Sequence, residues 1–299
     1  MSAKMNFYGQ ELNVYKTSCH THSTVSDAFF SPEQVLDMYG DEGFDAVFMT
    51  DHRTTQDVSK YKTPGSLKAY SGMEVHPMGP RGIAWHILAL GVPHPFQTEF
   101  ASGQEAVDAV NAAGGLAYVA HPYWCGYTSA EVMSLKNTAG IEVYNTSCRY
   151  IAKEFCMHTW DEMLDAGIMT YALATDDTHK SHDLFHAWTM ICAKENTQDA
   201  LIDALRNGRF YASMGPEIKS LSFENGIFKA EFSPCDTVVL VAKRSRGKCH
   251  CVPWHPLTHS HMLATEAEFD VSDLQPGSFV RLQLQNEKGQ YAWSNPVQI

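Results

Sequence analysis

The residues most able to do chemistry are histidines and acids. The chain has 299 residues and 15 histidines. His20-Thr21-His22 precedes Asp27, Asp51 stands beside His52, and Glu74, His86, His121, Asp176, Asp177 and His179 extend the set. Imidazole and carboxylate together suit zinc, manganese or iron, and a carboxylate can bridge two ions. One H-x-H or one Asp-His pair means little alone, so the argument turns on where each falls in the fold.

From residue 14 to about 211, short β-branched or apolar runs alternate with amphipathic stretches, which is the pattern of strands alternating with helices. Strands are expected at 14–19, 46–50, 67–73, 86–90, 116–120, 140–144 and 169–174. Ser31-Pro32-Glu33-Gln34 carries the N-cap, first-position proline and capping-box acceptor of a helix start. Further helices are expected from 102 or 103 to 113, from Thr128, and over 153–166. The fold class is therefore α/β, a parallel barrel or a doubly wound sheet.

On that scheme His20 and His22 follow the first strand, Asp51 and His52 the second, and Glu74 the third. His121 follows the fifth, and Asp176, Asp177 and His179 the seventh. Loops at the carboxyl ends of parallel strands converge on one rim, so these side chains should meet, and a set this large implies more than one metal. His86 starts its strand and must reach the pocket from another direction.

These pieces resemble the polymerase and histidinol phosphatase (PHP) domain. The matching segments are His20-Thr21-His22-Ser23 with Ser26-Asp27, Thr50-Asp51-His52, Gly72-Met73-Glu74, His86-Ile87-Leu88, Ala120-His121-Pro122 and Asp177-Thr178-His179, in order over residues 14–211. The resemblance implies a distorted seven-stranded (β/α) barrel, two or three divalent transition-metal ions (Zn, Mn or Fe) and hydrolysis of phosphate esters. Position by position, it makes His20, His22, Asp27, His52, Glu74, His86, His121, Asp177 and His179 the metal ligands. Asp177 fits the family's D-x-H spacing, while Asp176 either replaces it or supports it. Asp51 is expected to orient its neighbouring histidine or loop.

The segment Glu142-Val143-Tyr144-Asn145 ends a strand in a way frequent in that family, and Asn145 either bonds within the barrel or touches substrate. Arg149, just beyond, is the expected phosphate-holding fork. Arg53, Arg81, Lys180 and Arg209 are weaker candidates. The expected chemistry is attack on phosphorus by a metal-bound hydroxide beside Asp177, with His179 or His52 protonating the leaving group. An amidohydrolase-type enzyme acting on another ester or an amide is the alternative, and a binding or regulatory module with a vestigial barrel is a third.

Beyond Gly208 the pattern turns to short strands separated by Asn225-Gly226, Ser233-Pro234 and Gln275-Pro276-Gly277. A boundary near Met214-Gly215-Pro216 is expected to divide a hydrolase domain, 1–214, from a small all-β domain, 215–299. Cys249-His250-Cys251 with His255, His259 and His261 matches no usual structural zinc spacing and reads more readily as a polar β-loop.

Lysine plus arginine is 22 against 34 acids, a net charge of -12, which opposes binding to a nucleic-acid polymer. The expected partner is a small phosphorylated molecule. No run reaches a membrane span, the first residues lack a signal-peptide core, and eight irregularly spaced cysteines suggest free thiols, so a cytoplasmic setting is expected.

Overall fold

The structure is a computed structural model that describes residues 3–253 and 263–299. The strands are β1 Lys4–Phe7, β2 Gln10–Ser18, β3 Ala46–Met49, β4 Lys68–Val75, β5 Ile87–Leu90, β6 Leu116–Val119, β7 Gly140–Asn145, β8 Tyr171–Thr175, β9 Trp188–Ala193 and β10 Phe210–Ser213. They continue as β11 Ile218–Glu224, β12 Ile227–Cys235, β13 Thr237–Ala242, β14 Gly247–Cys251, β15 Ala264–Asp270, β16 Phe279–Gln285, β17 Tyr291–Ser294 and β18 Val297–Gln298. The helices are α1 Pro32–Asp41, α2 Gly103–Ala112, α3 Pro122–Cys125, α4 Ser129–Val132, α5 Met157–Asp165 and α6 Gln198–Arg206.

Runs such as Ala-Val-Phe-Met in β3 and Leu-Ala-Tyr-Val in β6 are buried along their whole length, as strands covered on both faces must be. The chain order of the strands is also their spatial order from β2 to β8, with β9 antiparallel on the outer side of β2. Helix α1 begins with the expected capping box at Ser31 and Gln34, and α2 is capped by Ser102.

Two features depart from a closed parallel barrel. Strand β5 runs antiparallel to both neighbours, which turns its first residue toward the rim where the parallel strands end, and so delivers His86. Between β2 and β8 there is no ladder. The ends of the curved sheet meet at one bridge, Thr21 to Thr178, flanked by His22 N–H to Thr178 O at 3.1 Å and Asp177 N–H to His20 O at 3.1 Å. The distorted seven-stranded barrel expected corresponds to a curled sheet from β2 to β8 that is not closed by a ladder and that β9 continues past β2.

Strands β11 to β18 form a β-rich region. It joins the curled sheet through β1, which pairs parallel with β11 and antiparallel with β2, and through β10, which pairs with both β9 and β17. Trp293 and Phe279 of this region pack in the same apolar cluster as Trp160 and Leu164 of α5. Arg281 is buried over the Trp160 ring and donates to Asp161 at 2.7 Å. All eight cysteines are free. Cys249 is exposed and Cys251 buried, a register shift in the β13–β14 pairing having put them in different surroundings. Among the described residues no group of three metal-capable side chains includes either of them or His250; His255, His259 and His261 lie outside the described residues. Among the described residues no helix is long and apolar enough to cross a membrane.

Candidate metal centre

The rim loops are pinned to one another by backbone bonds, and this sets the site. Thr50 N–H donates to Thr21 O at 3.1 Å, Glu74 N–H to Asp51 O at 3.2 Å, and His52 and Glu74 form a parallel bridge. Gly72, two residues before Glu74, has no room for a side chain: a Cβ there would stand 2.9 Å from Thr50 Cγ2 and 3.2 Å from the carbonyl oxygens of Met49 and Ala89. Three non-glycine rim residues, His121, Asp177 and Arg53, have positive φ of 26°, 52° and 53°. Left-handed backbone costs about 1–3 kcal/mol per residue and persists where surrounding bonds over-determine it.

The buried Glu74 carboxylate is the centre of the cluster. Its Oε2 lies 2.8 Å from His52 Nδ1, 3.4 Å from His20 Nε2, and 3.5 Å from both His22 Nε2 and His76 Nε2. Its Oε1 lies 2.8 Å from His86 Nδ1 and 3.3 Å from His121 Nε2. Asp177 Oδ1 stands 3.0 Å from His22 Nε2 and 3.2 Å from His20 Nε2, while Asp27 Oδ1 is 3.4 Å from the Nε2 atoms of both His52 and His179. All nine residues expected as ligands therefore converge.

The electrostatics fit a cation. Glu74 Oε2 and Asp177 Oδ1 are buried without a hydrogen-bond partner although ring nitrogens surround them, a costly state unless a positive ion occupies the common point. Burial works against charge on Glu74 and Asp177, but the neighbouring histidines, His20 first, outweigh it and hold both well below the usual carboxylate range. Burial likewise disfavours charge on His20, yet Asp177, Glu142 and Glu74 together hold its pKa well above the ordinary value. Burial pushes His22 down to about 4, the neutral form a metal ligand requires. Nitrogen and oxygen donors in these numbers suit divalent cations.

His76 joins this cluster without having been expected. It is two residues past Glu74, and alternate residues of an extended segment point to the same side, so that spacing was the available signal. Glu142 is the other addition. It accepts from His20 Nδ1 at 2.6 Å, Thr175 Oγ1 at 2.8 Å, Asn145 Nδ2 at 2.8 Å and the His121 N–H at 2.8 Å, and so aims the His20 imidazole and anchors the backbone of His121.

The doubled acid separates cleanly. Asp177 faces the histidines, whereas Asp176 accepts from the backbone N–H groups of Phe185, His186 and Ala187 and from the Thr146 and Tyr39 hydroxyls. Asp51 is directed away from the cluster, taking hydrogen bonds from Ser23, Ser26 and Gln56, and it ties the loop of His22 to that of His52. Replacing Asp51 with alanine strands several buried donors, and we expect a loss of about 3 kcal/mol in urea unfolding. A change below about 0.5 kcal/mol would show that the loops hold themselves.

A cavity of about 400 Å³ opens beside the cluster, lined by Asp27, His52, Glu74, His86, His121, Asp177 and His179 together with Trp124, Ser147, Cys148, Tyr150, Lys180 and Asp183. The side chains of His52 and His179 are each 22% exposed. Neither Arg149 nor Asn145 lines the cavity. Arg149 is half-buried and turned aside, donating to the carbonyl of His182. Asn145 is buried, its amide committed to Glu142, to Asp177 at 3.1 Å and to the Cys148 N–H; it positions the acids. Arg81 pairs with Glu131 and Arg209 with Asp203, and Arg53 is not on the wall either. Among the described residues, Lys180 is the lysine or arginine that lines it.

No family model matches the chain, and no curated protein matches it. Among solved structures, a two-domain protein from Bacteroides vulgatus, described as containing a predicted PHP-like metal-dependent phosphoesterase, aligns over 100% of this chain and 99% of its own, with TM-score 0.53 and 16% identity. An amidohydrolase from Chromobacterium violaceum with bound sulfate and no metal aligns over 65% of this chain and 96% of its own, with TM-score 0.47 and 17% identity. The first likeness is one of fold, and it runs along the whole chain.

Proposed function

We propose that the protein is a metal-dependent phosphoesterase that hydrolyses a small phosphorylated metabolite, a nucleotide, sugar phosphate or amino-alcohol phosphate. The observation that carries this reading is that Lys180 lines the same cavity as the histidine and carboxylate cluster. A dianionic phosphate needs cationic partners beyond the metals, while a neutral ester or amide does not, so this placement favours phosphate over the amidohydrolase alternative.

His20, His22, Asp27, His52, Glu74, His86, His121, Asp177 and His179 would hold two or three ions of zinc, manganese or iron, with His76 within reach. When bound, such ions supply a nucleophile at neutral pH and neutralise charge growing on the phosphate oxygens. The protein's own part is to aim the His20 imidazole through Glu142 and Asn145, to balance charge through Glu74 and Asp177, and to draw the phosphoryl group with Lys180. His52 and His179, each partly open to the cavity, would give a proton to the departing alkoxide.

The division at residues 214 and 215 is proposed as functional: no residue of 215–299 lines the cavity among the described residues, so the hydrolytic site belongs to the first part alone. Protein purified without chelator should carry divalent transition metal, and a screen of nucleotides, sugar phosphates and amino-alcohol phosphates should show phosphate release that stops on chelation. Metal-free protein after such purification, together with no release on adding Zn, Mn or Fe, would sink the reading.

A further inference from the structure

The rim carries a second chemical character. Phe29, Met78, Tyr123, Trp124, Tyr150 and Ile151 are all exposed, and each lies in a connection that leaves the rim end of β2, β4, β6 or β7, Tyr123 and Trp124 within α3 and Tyr150 and Ile151 within a 3₁₀ turn. Away from the rim, large hydrophobic side chains this exposed are confined to Met169 and Leu263 among the described residues. An apolar collection gathered at one mouth is the usual mark of a contact surface.

Two of these residues belong to the cavity wall itself. Trp124 remains 43% exposed and stands nearly perpendicular to His86 and His121, with ring centroids 5.6 Å and 5.1 Å away and interplanar angles of 69° and 80°. Tyr150 is 56% exposed; its hydroxyl donates to Asp183 Oδ1 at 3.1 Å, which fixes the ring, and the Arg149 guanidinium lies 5.5 Å from the ring centre. The cavity lining thus holds two kinds of group, ion-binding side chains with Lys180 suited to a charged head, and one indole and one phenol ring suited to something flat and apolar. At about 400 Å³ it falls in the range of sites for small organic ligands.

We propose that Trp124 and Tyr150 form an aromatic seat that selects phosphate esters whose organic part carries a planar aromatic ring, in preference to saturated ones. The proposal rests on the phosphoesterase reading above and adds the class of leaving group. Stacking on an aromatic wall is worth roughly threefold to tenfold in affinity beyond simple burial, and a saturated ring of similar bulk cannot collect it.

The test compares 2-phenylethyl phosphate with 2-cyclohexylethyl phosphate on the metal-loaded full chain, since the two share a leaving-group position and differ in planarity. Calorimetric binding of the matching uncleavable phosphonates runs alongside. We expect kcat/KM and affinity to favour the phenyl compounds by about tenfold. That ratio should fall toward one in W124A, be largely kept in W124F, fall in Y150A and be kept in Y150F, because the ring and not the hydroxyl makes the seat. Ratios near one in wild type, or a wild-type preference that survives W124A and Y150A, overturn the seat. Phosphate release with no phenyl preference would leave the phosphoesterase reading standing and the seat disproved. Phenyl preference in phosphonate binding with no release from either ester would do the reverse, and absence of both binding and release would remove the seat as well.

Discussion

Asp177→Asn should reduce phosphate release on the order of a thousandfold and lower metal content, because it removes a buried carboxylate oxygen directed at two imidazoles with no other hydrogen-bond partner; losing several kcal/mol of charge stabilisation has that effect on rate. Asp176→Asn should behave differently. Its oxygens receive three backbone N–H groups, and an amide can accept through only one of its two positions. The expected cost is therefore in folding, about 2 kcal/mol, with much of the activity kept at temperatures where the variant is folded. Metal analysis, urea unfolding and kinetics on the same two preparations separate the cases. Equal activity losses at equal stability would mean that both acids serve the site, and a larger loss for Asp176→Asn would reverse the assignment.

This pair shows where sequence reading stopped and geometry was needed. The D-x-H spacing favoured Asp177, but adjacent acids on a strand end point in opposite directions, and only the positions of the Phe185 to Ala187 backbone show which direction is which. The convergence of strand-end histidines followed from a general property of parallel sheets, so the cluster itself was legible. The orientation of β5 was not: Ile-Leu-Ala-Leu is buried throughout, and a four-residue apolar run reads the same in either direction. The antiparallel turn explains why a histidine at the start of a strand belongs with others at strand ends.

The choice of cation beside the cluster left no signal in the sequence. Arg149 follows a strand end and has the right chemistry, but a short 3₁₀ helix at Ser147–Ile151 turns it outward to the His182 carbonyl, while Lys180 reaches the cavity from the loop after β8. Strand β9 and helix α6 were also not among the expected elements, and they matter because β9 and β10 splice the curled sheet to the β-rich region. Neither loop conformation nor that splice leaves a periodic signal in the chain.

Glu74→Gln should have the broadest consequence of any single change at the site. The glutamate contributes negative charge to six imidazoles within 3.5 Å of its two oxygens, and the isosteric amide removes that charge while placing N–H groups against ring nitrogens. With metal present, the expected result is loss of bound ion and a fall in activity on the order of a thousandfold or more. In chelator, the variant should be less stable by about 3–5 kcal/mol at neutral pH, the usual cost of breaking a buried charge cluster from one side. The pH dependence has a definite sign. Glu74 is held well below the usual carboxylate range in the folded protein, so its stabilisation is fully present above the unfolded pKa and is lost as pH falls through the lower folded value. The stability gap between wild type and Glu74→Gln should accordingly persist above the ordinary carboxylate range and close only in strong acid, as followed by urea unfolding of chelated protein at a series of pH values. A gap that stayed constant from neutrality into strong acid would mean that Glu74 acts through shape and not through charge.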